Sequence, residues 1–183
     1  MSSLSICVFC GSRAGKDPAF EQAAIALGQG LARRNWRLVY GAGDIGLMGA
    51  TARAAQRAGG ETFGVIPDHL VRQEVGKVDL TRYVVTETMH ERKKVMFMNC
   101  DAVVVLPGGA GSLDEFFEVL TWRQIGLHEK PVYLLDVAGY WRPLTDLLDH
   151  VIDQGFADQS LRSFVTLAAD VDALMAAISD ALN

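Results

Sequence analysis

A glycine-rich segment that leads into an acidic residue occupies positions 107–115, with the sequence PGGAGSLDE. An apolar, β-branched run at 103–106 precedes it, so the segment is typical of a strand, a turn and the start of a helix. Backbone N–H groups at a helix start have no partner within the helix and can hold a phosphate. Glu115 follows closely enough to reach whatever carries that phosphate. The arrangement indicates an enzyme that acts on a phosphorylated small molecule.

Glu115 also has a purely structural interpretation. Ser112 and Glu115 fit a capping box, in which the serine caps the helix and the glutamate reaches back to the serine N–H. In that case Glu115 needs no catalytic role. The segment holds more glycine than a capped turn requires, and glycine lets a ligand approach the backbone closely, which favours the functional interpretation.

A charged run at 89–94, MHERKK, begins the helix predicted before the 102–106 strand. Most such runs are solvated helix ends. Consecutive cations in a first helical turn oppose the helix dipole, however, and a phosphate or carboxylate opposite them would offset that cost. Arg92 suits a bidentate contact with phosphate, whereas Lys93 would act more as a point charge.

Two further glycine loops follow predicted strands. Gly11 and Ser12 come after the first strand, where they either line a ligand or form a tight turn. The segment 41–46, GAGDIG, matches the dinucleotide pattern G-x-G-x-x-G, but it follows the second strand, and the next strand lacks an acid at its end. We therefore favour a tight strand-to-helix turn at 41–46 and keep NAD binding as an alternative.

Other residue patterns predict no chemistry. Cys7 and Cys10 are spaced C-x-x-C, but we expect them on opposite faces of a strand and not as a redox pair. The four histidines have no ligand spacing with cysteines or carboxylates, so we expect no structural zinc. The three tryptophans are most simply core or interface residues.

The elements that must position these residues alternate regularly along the chain. Strands are predicted at 4–9, 37–40, 62–66, 83–86, 102–106, 132–135 and, more weakly, 164–167, and helices near 18–34, 47–58, 89–100, 113–126, 142–154 and 171–182. This alternation predicts right-handed crossovers and a buried, mostly parallel sheet with helices on both faces. We therefore expect a single Rossmann-like, doubly wound α/β domain over 1–183. Its ligand should bind beyond the carboxyl ends of the strands, under a loop at 67–80.

Composition narrows the function classes. A chain of 183 residues that is 50% hydrophobic can form one compact core. The net charge of −5 disfavours nucleic acid and anionic membranes as partners, since both reward a basic surface. Three cysteines without framework spacing, together with no signal-peptide or membrane-spanning pattern, predict a reduced, cytoplasmic protein.

Taken together, the segments 41–49, 89–93 and 107–115 resemble the signatures of the LOG ("Lonely Guy") family, and the resemblance continues through 120–122 and 126–132. Two positions depart from the family pattern. Ser112 stands where threonine is usual and keeps the hydroxyl. Ala42 stands where glycine is common, which we expect to be tolerated only if Ala42 keeps a negative φ.

The resemblance implies a cytokinin riboside 5′-monophosphate phosphoribohydrolase, formerly labelled a possible lysine decarboxylase. Such an enzyme hydrolyses the N-glycosidic bond of a nucleoside 5′-monophosphate, cytokinin riboside 5′-monophosphate or AMP, to free base and ribose 5-phosphate. The resemblance also implies that Arg92 and Glu115 are the catalytic pair and that no metal or organic cofactor is required. The residues it implies around the nucleotide are Glu74, Lys93, Gly109, Ala110, Gly111, Ser112, Leu113, Asp114 and Thr121. Met89 is a candidate for the wall of the base pocket.

Alternatives remain open at this point. The expected architecture also resembles that of a related group of molybdenum-cofactor carrier proteins. The presence of both Arg92 and Glu115 nevertheless favours an enzyme. A lysine decarboxylase would need a Schiff-base lysine and an acidic partner for pyridoxal phosphate, and the sequence shows neither. Family members are dimers or larger, so we expect a homodimer, with 95–98 as either a dimer contact or core. The sequence does not identify the preferred base.

Overall fold

A computed structural model describes residues 3–71 and 79–182. Its strands form one sheet in the order β4-β3-β2-β1-β5-β6-β7, and every neighbouring pair is parallel. The strands are β1 Ser5–Phe9, β2 Arg37–Tyr40, β3 Thr62–Pro67, β4 Arg82–Thr86, β5 Ala102–Val105, β6 Val132–Leu135 and β7 Val165–Ala168. The helices are α1 Pro18–Arg33, α2 Gly46–Arg57, α3 Asp68–Val71, α4 Met89–Met98, α5 Ala110–Gln124, α6 Arg142–Asp153, α7 Ser160–Ser163 and α8 Val171–Leu182, with a 3-10 turn at Val137–Gly139.

The central strands are apolar on both faces because each face is covered by helices. In β1, Ile6 and Val8 pack into one core with α1, α2 and α8, while Cys7 and Phe9 pack into the other with α4, α5 and α6. β5 is buried along its whole length. A parallel sheet covered on both sides is the doubly wound Rossmann-like fold that the alternating pattern predicts, and Cys7 and Cys10 do lie on opposite faces.

The sequence locates most elements to within a few residues. The weakly predicted last strand is present, shifted by one residue to Val165–Ala168. Two short helices, α3 and α7, and the 3-10 turn carry no clear periodicity and are not predicted. The first residues of the loop predicted at 67–80 belong instead to β3, which ends at Pro67, and to α3. Residues 72–78 lie outside the described part of the chain.

The strand order creates a crevice between β1 and β5. The chain leaves β1 toward β2, β3 and β4 on one side, and later returns to β5 on the other side. Loops that follow β1 and β5 therefore diverge at their carboxyl ends, which is where open α/β sheets bind ligands. Within residues 3–71 and 79–182, no helix is long and apolar enough to cross a membrane.

Candidate active site

Three loops at the carboxyl edge of the sheet are joined by backbone hydrogen bonds. The N–H of Gly11 donates to Pro107 O at 3.0 Å, which joins the loop after β1 to the loop after β5. The N–H of Leu47 donates to Gly11 O, also at 3.0 Å, which joins the start of α2 to the same loop. A side chain at Gly46, where φ is +57°, would collide with the backbone of Ser12. Glycine is therefore required at Gly46 by both conformation and packing.

These loops surround a cavity of about 460 Å³ at the crevice between β1 and β5, where the strand order reverses (the switch point of the sheet). This volume lies in the range of small-molecule sites. One part of the lining is backbone-rich and comes from residues 11–15 and 107–112. Another part is apolar or aromatic and includes Phe20, Leu70, Met89 and Tyr140. Arg92 and Glu115 supply charged side chains to the same cavity.

Helix α5 begins earlier than the sequence predicts, and this overturns the capping box at Ser112. The N-cap is Gly109, without a side-chain cap, and Ser112 is a buried residue, 3% exposed, inside the first turn. Glu115 consequently lies in the second turn, where it cannot reach back to cap the helix. The predicted capping box between Ser112 and Glu115 is therefore wrong.

The start of α5 presents a row of backbone donors beside the cavity. The first α-helical hydrogen bond there runs from Leu113 N–H to Gly109 O at 3.1 Å. The N–H groups of residues 109–112 precede it and have no acceptor within the helix. Cβ atoms added at Gly109 or Gly111 would meet no atom of the described residues within 4 Å, so packing does not require glycine at either position. Gly108 differs, since its Cβ would collide with Ser112.

Arg92 is held by the carboxyl ends of two strands. Its Nε donates to Val65 O at 3.0 Å and its Nη2 to Gly41 O at 2.6 Å, while Nη1 lies 3.8 Å from the Met89 sulfur. The residue is 4% exposed. A side chain at Gly41 would occupy the position of the guanidinium, which explains that glycine. Two backbone carbonyls thus fix the guanidinium plane at the edge of the cavity.

The start of α4 is capped by residues that the sequence analysis did not use. Thr88 accepts from Glu91 N–H at 3.1 Å, and Glu91 accepts from Thr88 N–H at 3.2 Å, which completes a capping box. The first turn therefore carries an acid, and Arg92 begins the second turn. The prediction that cations occupy the first turn and oppose the helix dipole is therefore wrong, because they lie one turn further along the helix.

Lys93 lies outside the lining of the cavity. Its Nζ pairs with Asp114 at 2.9 Å and Glu118 at 3.0 Å, and only 6% of its side chain is exposed. Burial lowers the pKa of Lys93, but the hydrogen bonds to both carboxylates outweigh that effect, so the pKa is raised from 10.5 and the ammonium stays charged.

The buried thiol of Cys10 senses the charges of Arg92 and Glu115. Burial raises the pKa of the Cys10 thiol well above its ordinary value, the Glu115 charge raises it further, and the Arg92 charge lowers it. The thiol therefore stays neutral. Both charged side chains therefore act on one buried sulfur next to β1.

The 41–46 loop is a tight turn, as we favoured. Gly41 makes room for Arg92, Gly46 makes room for Ser12, and the Leu47 N–H at the start of α2 is already bonded to Gly11 O. Packing therefore explains the first and last glycines of the dinucleotide pattern. Ala42 contradicts our expectation of a negative φ, because its φ is +58°. Its Cβ is accommodated because the residue opposite is Gly64, where a Cβ would lie only 2.8 Å away.

The structure brings together most, but not all, of the predicted site residues. Those that line the cavity are Gly11, Ser12, Met89, Arg92, Gly109, Ala110, Gly111, Ser112 and Glu115. Those that do not are Lys93, Leu113, Asp114 and Thr121, of which Thr121 is exposed in the last turns of α5. Glu74 lies outside the described residues.

Sequence reasoning missed Phe20 and Tyr140 in the cavity lining. Tyr140 follows the predicted strand β6, and its position after a strand end is the one signal that could have identified it. Phe20 lies in the first turn of α1, which begins near the same edge. Neither residue belongs to a local motif, so only the strand order brings them to the site.

The fold and the cavity define a Rossmann-like protein with a glycine-rich loop and a helix start at the crevice of its sheet. A family model described as "Possible lysine decarboxylase" matches residues 48–178. The chain is 42% identical over 170 residues to the cytokinin riboside 5′-monophosphate phosphoribohydrolase LOG7 of Arabidopsis thaliana, which covers 93% of this chain and 78% of that protein. It is 42% identical over 175 residues to the cytokinin riboside 5′-monophosphate phosphoribohydrolase of Rhodococcoides fascians, covering 95% and 88%. The chain belongs to the LOG family.

Solved structures share the fold at lower sequence identity. The Moco carrier protein of Chlamydomonas reinhardtii superposes with a TM-score of 0.76 at 24% identity, over 99% of this chain and 98% of that chain. The molybdenum cofactor binding protein of Rippkaea orientalis gives a TM-score of 0.74 at 23% identity, over 100% and 99%. At this identity the likeness shows the fold alone.

Proposed function

We propose that the protein hydrolyses the N-glycosidic bond of a nucleoside 5′-monophosphate, releasing the free base and ribose 5-phosphate. The observation that carries this proposal is the convergence of three features on one cavity. These are the backbone donors at the start of α5, the anchored Arg92 guanidinium and the Glu115 carboxylate. Relatives that carry the name cytokinin riboside 5′-monophosphate phosphoribohydrolase support the same reaction.

The 5′-phosphate would bind to the N–H groups of residues 109–112. These groups lack intrahelical acceptors, and the positive end of the α5 dipole favours an anion there. Gly109 and Gly111 support this role, because neither packing nor a positive φ explains them. Lys93 was also predicted near the nucleotide, but its two ion pairs with α5 favour a supporting role outside the cavity.

Glu115 would act at the ribose. As the bond from C1′ to the base nitrogen breaks, its electron pair leaves with the base and positive charge develops on the ribose. A carboxylate in the second turn of α5, beyond the phosphate donors, can stabilise that charge and take a proton from the attacking water. The water oxygen then forms the new bond to C1′. The removal of the capping role from Glu115 strengthens this assignment.

Arg92 would stabilise negative charge, either on the departing base or on the phosphate. Its bonds to Val65 O and Gly41 O orient the guanidinium before substrate binds, so little reorganisation is needed during the reaction. The proton that completes the neutral base comes from solvent or from the water-derived proton on Glu115. The reaction then balances as nucleotide plus water to base plus ribose 5-phosphate.

The base would face the apolar part of the cavity lining, which includes Phe20, Leu70 and Met89. This lining suits adenine, and we propose AMP or an N6-modified AMP as substrate, so that the enzyme is AMP nucleosidase-like in its chemistry.

The proposal includes a cytoplasmic homodimer as its working state. Within 95–98, Met96 is core while Met98 is exposed, so part of that segment remains available for a dimer contact.

Lysine decarboxylation does not suit this site. That chemistry would need a lysine able to form a Schiff base with pyridoxal phosphate. Among the described residues that line the cavity none is a lysine, and Lys93 is engaged by Asp114 and Glu118. A phospho-cofactor carrier is the second candidate, favoured by the shared fold of the molybdenum-cofactor proteins.

Product analysis tests the proposal. Purified protein is incubated with AMP and with N6-isopentenyl-AMP, and free base and ribose 5-phosphate are separated from nucleotide by chromatography. We expect base and ribose 5-phosphate in equal amounts, and the relative rates identify the preferred base. Tight nucleotide binding without any base release would instead favour the carrier function. Size-exclusion chromatography with light scattering tests the homodimer.

A further inference from the structure

Tyr140 connects the loop after β6 to the glycine loop after β5. It ends the 3-10 turn Val137–Gly139, and its hydroxyl donates a hydrogen bond to Gly108 O at 2.6 Å. The next residue, Trp141, donates from its Nε1 to Val105 O at 3.2 Å. Two consecutive aromatic residues therefore hold the end of β5 and the glycine loop that follows it.

The hydrogen bond at Gly108 O also fixes a backbone donor. The peptide unit is planar and trans, so the C=O of Gly108 and the N–H of Gly109 point in opposite directions within one rigid plane. The Gly109 N–H is the first of the donors at the start of α5. Holding Gly108 O in place therefore also holds the direction of the Gly109 N–H.

Packing and backbone hydrogen bonds hold the two ends of this peptide unit, since Gly108 packs against Ser112 and Gly109 O accepts from Leu113 N–H. The unit joins two glycines, and glycine allows rotation that a side chain would oppose. A Cβ at Gly109 would meet no atom of the described residues within 4 Å, so packing does not restrict that residue. Between these two fixed ends, the Tyr140 hydroxyl is the side-chain donor that holds the Gly108 carbonyl, and with it the direction of this unit.

The ring of Tyr140 is itself well placed. It makes edge-to-face contacts with Phe20, at a centroid distance of 5.4 Å, and with Trp141, at 4.8 Å. Such contacts favour this orientation of the ring, although Tyr140 is 38% exposed. The hydroxyl is therefore presented to Gly108 by a ring that also forms part of the cavity lining.

We infer that Tyr140 is a positioning residue for phosphate binding, which acts by orienting the Gly109 N–H through the Gly108 carbonyl. This inference rests on the proposed function, because it requires the start of α5 to hold the phosphate. It assigns to Tyr140 a role in ground-state binding of the phosphate and none in bond cleavage.

The test compares Tyr140→Phe with wild type and with Tyr133→Phe. Tyr133 is a matched control, since its hydroxyl also donates to one backbone carbonyl, Ala177 O at 3.0 Å, but lies outside the cavity lining. Binding of ribose 5-phosphate is measured by calorimetry, with ribose as the ligand that lacks phosphate. KM and kcat for AMP are measured in parallel.

We expect Tyr140→Phe to bind ribose 5-phosphate about fivefold more weakly, the ratio that one neutral hydrogen bond is worth. KM for AMP should rise similarly with little change in kcat, and Tyr133→Phe should change neither. Wild-type affinity in Tyr140→Phe would overturn this inference but not the proposed function. An equal loss of affinity in Tyr133→Phe would have the same consequence. If wild type itself binds ribose 5-phosphate no better than ribose, the phosphate site of the proposed function fails as well.

Discussion

Lys93 Nζ lies 2.9 Å from the Asp114 carboxylate, and these two residues are the chain neighbours of Arg92 and Glu115. Glu118 accepts from the same ammonium at 3.0 Å. The ion pairs therefore tie α4 to α5 next, in the chain, to the two residues that we propose as the catalytic pair. Asp114 and Lys93 lie outside the cavity lining, and their ion pair holds the two helices together.

Lys93→Met should destabilise the fold by about 1–3 kcal/mol, because it leaves Glu118 and Asp114 without their cation. The loss is limited because 60% of the Asp114 side chain is exposed and stays hydrated. Urea unfolding measures the change, and Lys94→Met is the matched control, since Lys94 is the exposed neighbour. Among folded molecules, kcat should fall more than KM rises. A rise in KM alone would instead indicate that Lys93 contacts the nucleotide.

Arg92→Lys should lower kcat by about 10²–10³-fold while the protein stays folded. A lysine ammonium is a point charge and cannot reproduce the planar contacts to Val65 O and Gly41 O together. Steady-state kinetics with AMP give the change, and circular dichroism checks the fold. Turnover at the wild-type rate would remove Arg92 from the proposed catalytic pair.

Gly108 and Gly109 should respond to alanine in opposite ways. A Cβ at Gly108 collides with Ser112, so Gly108→Ala should lower stability measurably. A Cβ at Gly109 meets nothing within 4 Å among the described residues, so Gly109→Ala should cost only the poorer N-cap, about 1 kcal/mol. Its methyl group would instead stand where the phosphate approaches, and AMP affinity should fall by about tenfold or more.

Thermal unfolding and AMP titration of both alanine variants test this contrast. Unchanged nucleotide affinity in a stable Gly109→Ala protein would contradict the assignment of the α5 start as the phosphate site. Equal stability losses at the two positions would contradict the packing explanation for Gly108.

Stability should fall on mild acidification because of His128. Its Nε2 bonds Val119 O at 2.9 Å, and its Nδ1 accepts from Lys130 N–H, so the ring is neutral. Burial lowers the pKa of His128 below its ordinary 6.5, and the Arg123 and Lys130 charges lower it further. The unfolded chain therefore binds the proton first, and the free energy of unfolding decreases as pH falls below about 6.5.

Urea midpoints between pH 7.5 and pH 5 measure this dependence. His128→Gln removes the titrating ring while keeping a side-chain donor, so the difference between wild type and variant isolates the histidine. A variant whose pH dependence matches that of wild type would show that other groups cause the loss.

The sequence predicts the core elements well because they are defined by local patterns. β5 combines four apolar residues, of which three are β-branched, and β2 and β6 have the predicted bounds. The capping boxes show the limit of local patterns. Both Thr88–Glu91 and Ser112–Glu115 fit the same spacing, but only the first caps a helix. At α5 the backbone already turns at Gly109, where contacts from Gly11 and Tyr140 hold the loop.

The site was predictable where it is built from one continuous segment. Glu115, Arg92 and the glycine loop were identified because each belongs to a short motif. Tyr140 is 32 residues from Gly108, and its contact depends on β6 lying next to β5. Strand order is a long-range property, which single motifs do not encode. The burial of Lys93 against Asp114 and Glu118 was likewise not predicted, because it depends on how α4 packs against α5.

The central claim is that Glu115 acts as a carboxylate in the cleavage of the glycosidic bond, and Glu115→Gln tests it most directly. Glutamine keeps the size of the side chain but cannot take a proton from water. AMP binding and turnover are measured together, with Glu129→Gln as an exposed control outside the cavity lining. We predict that Glu115→Gln retains AMP affinity within about threefold while kcat falls by about 10²–10⁴-fold. Turnover at the wild-type rate in the folded variant would contradict the account.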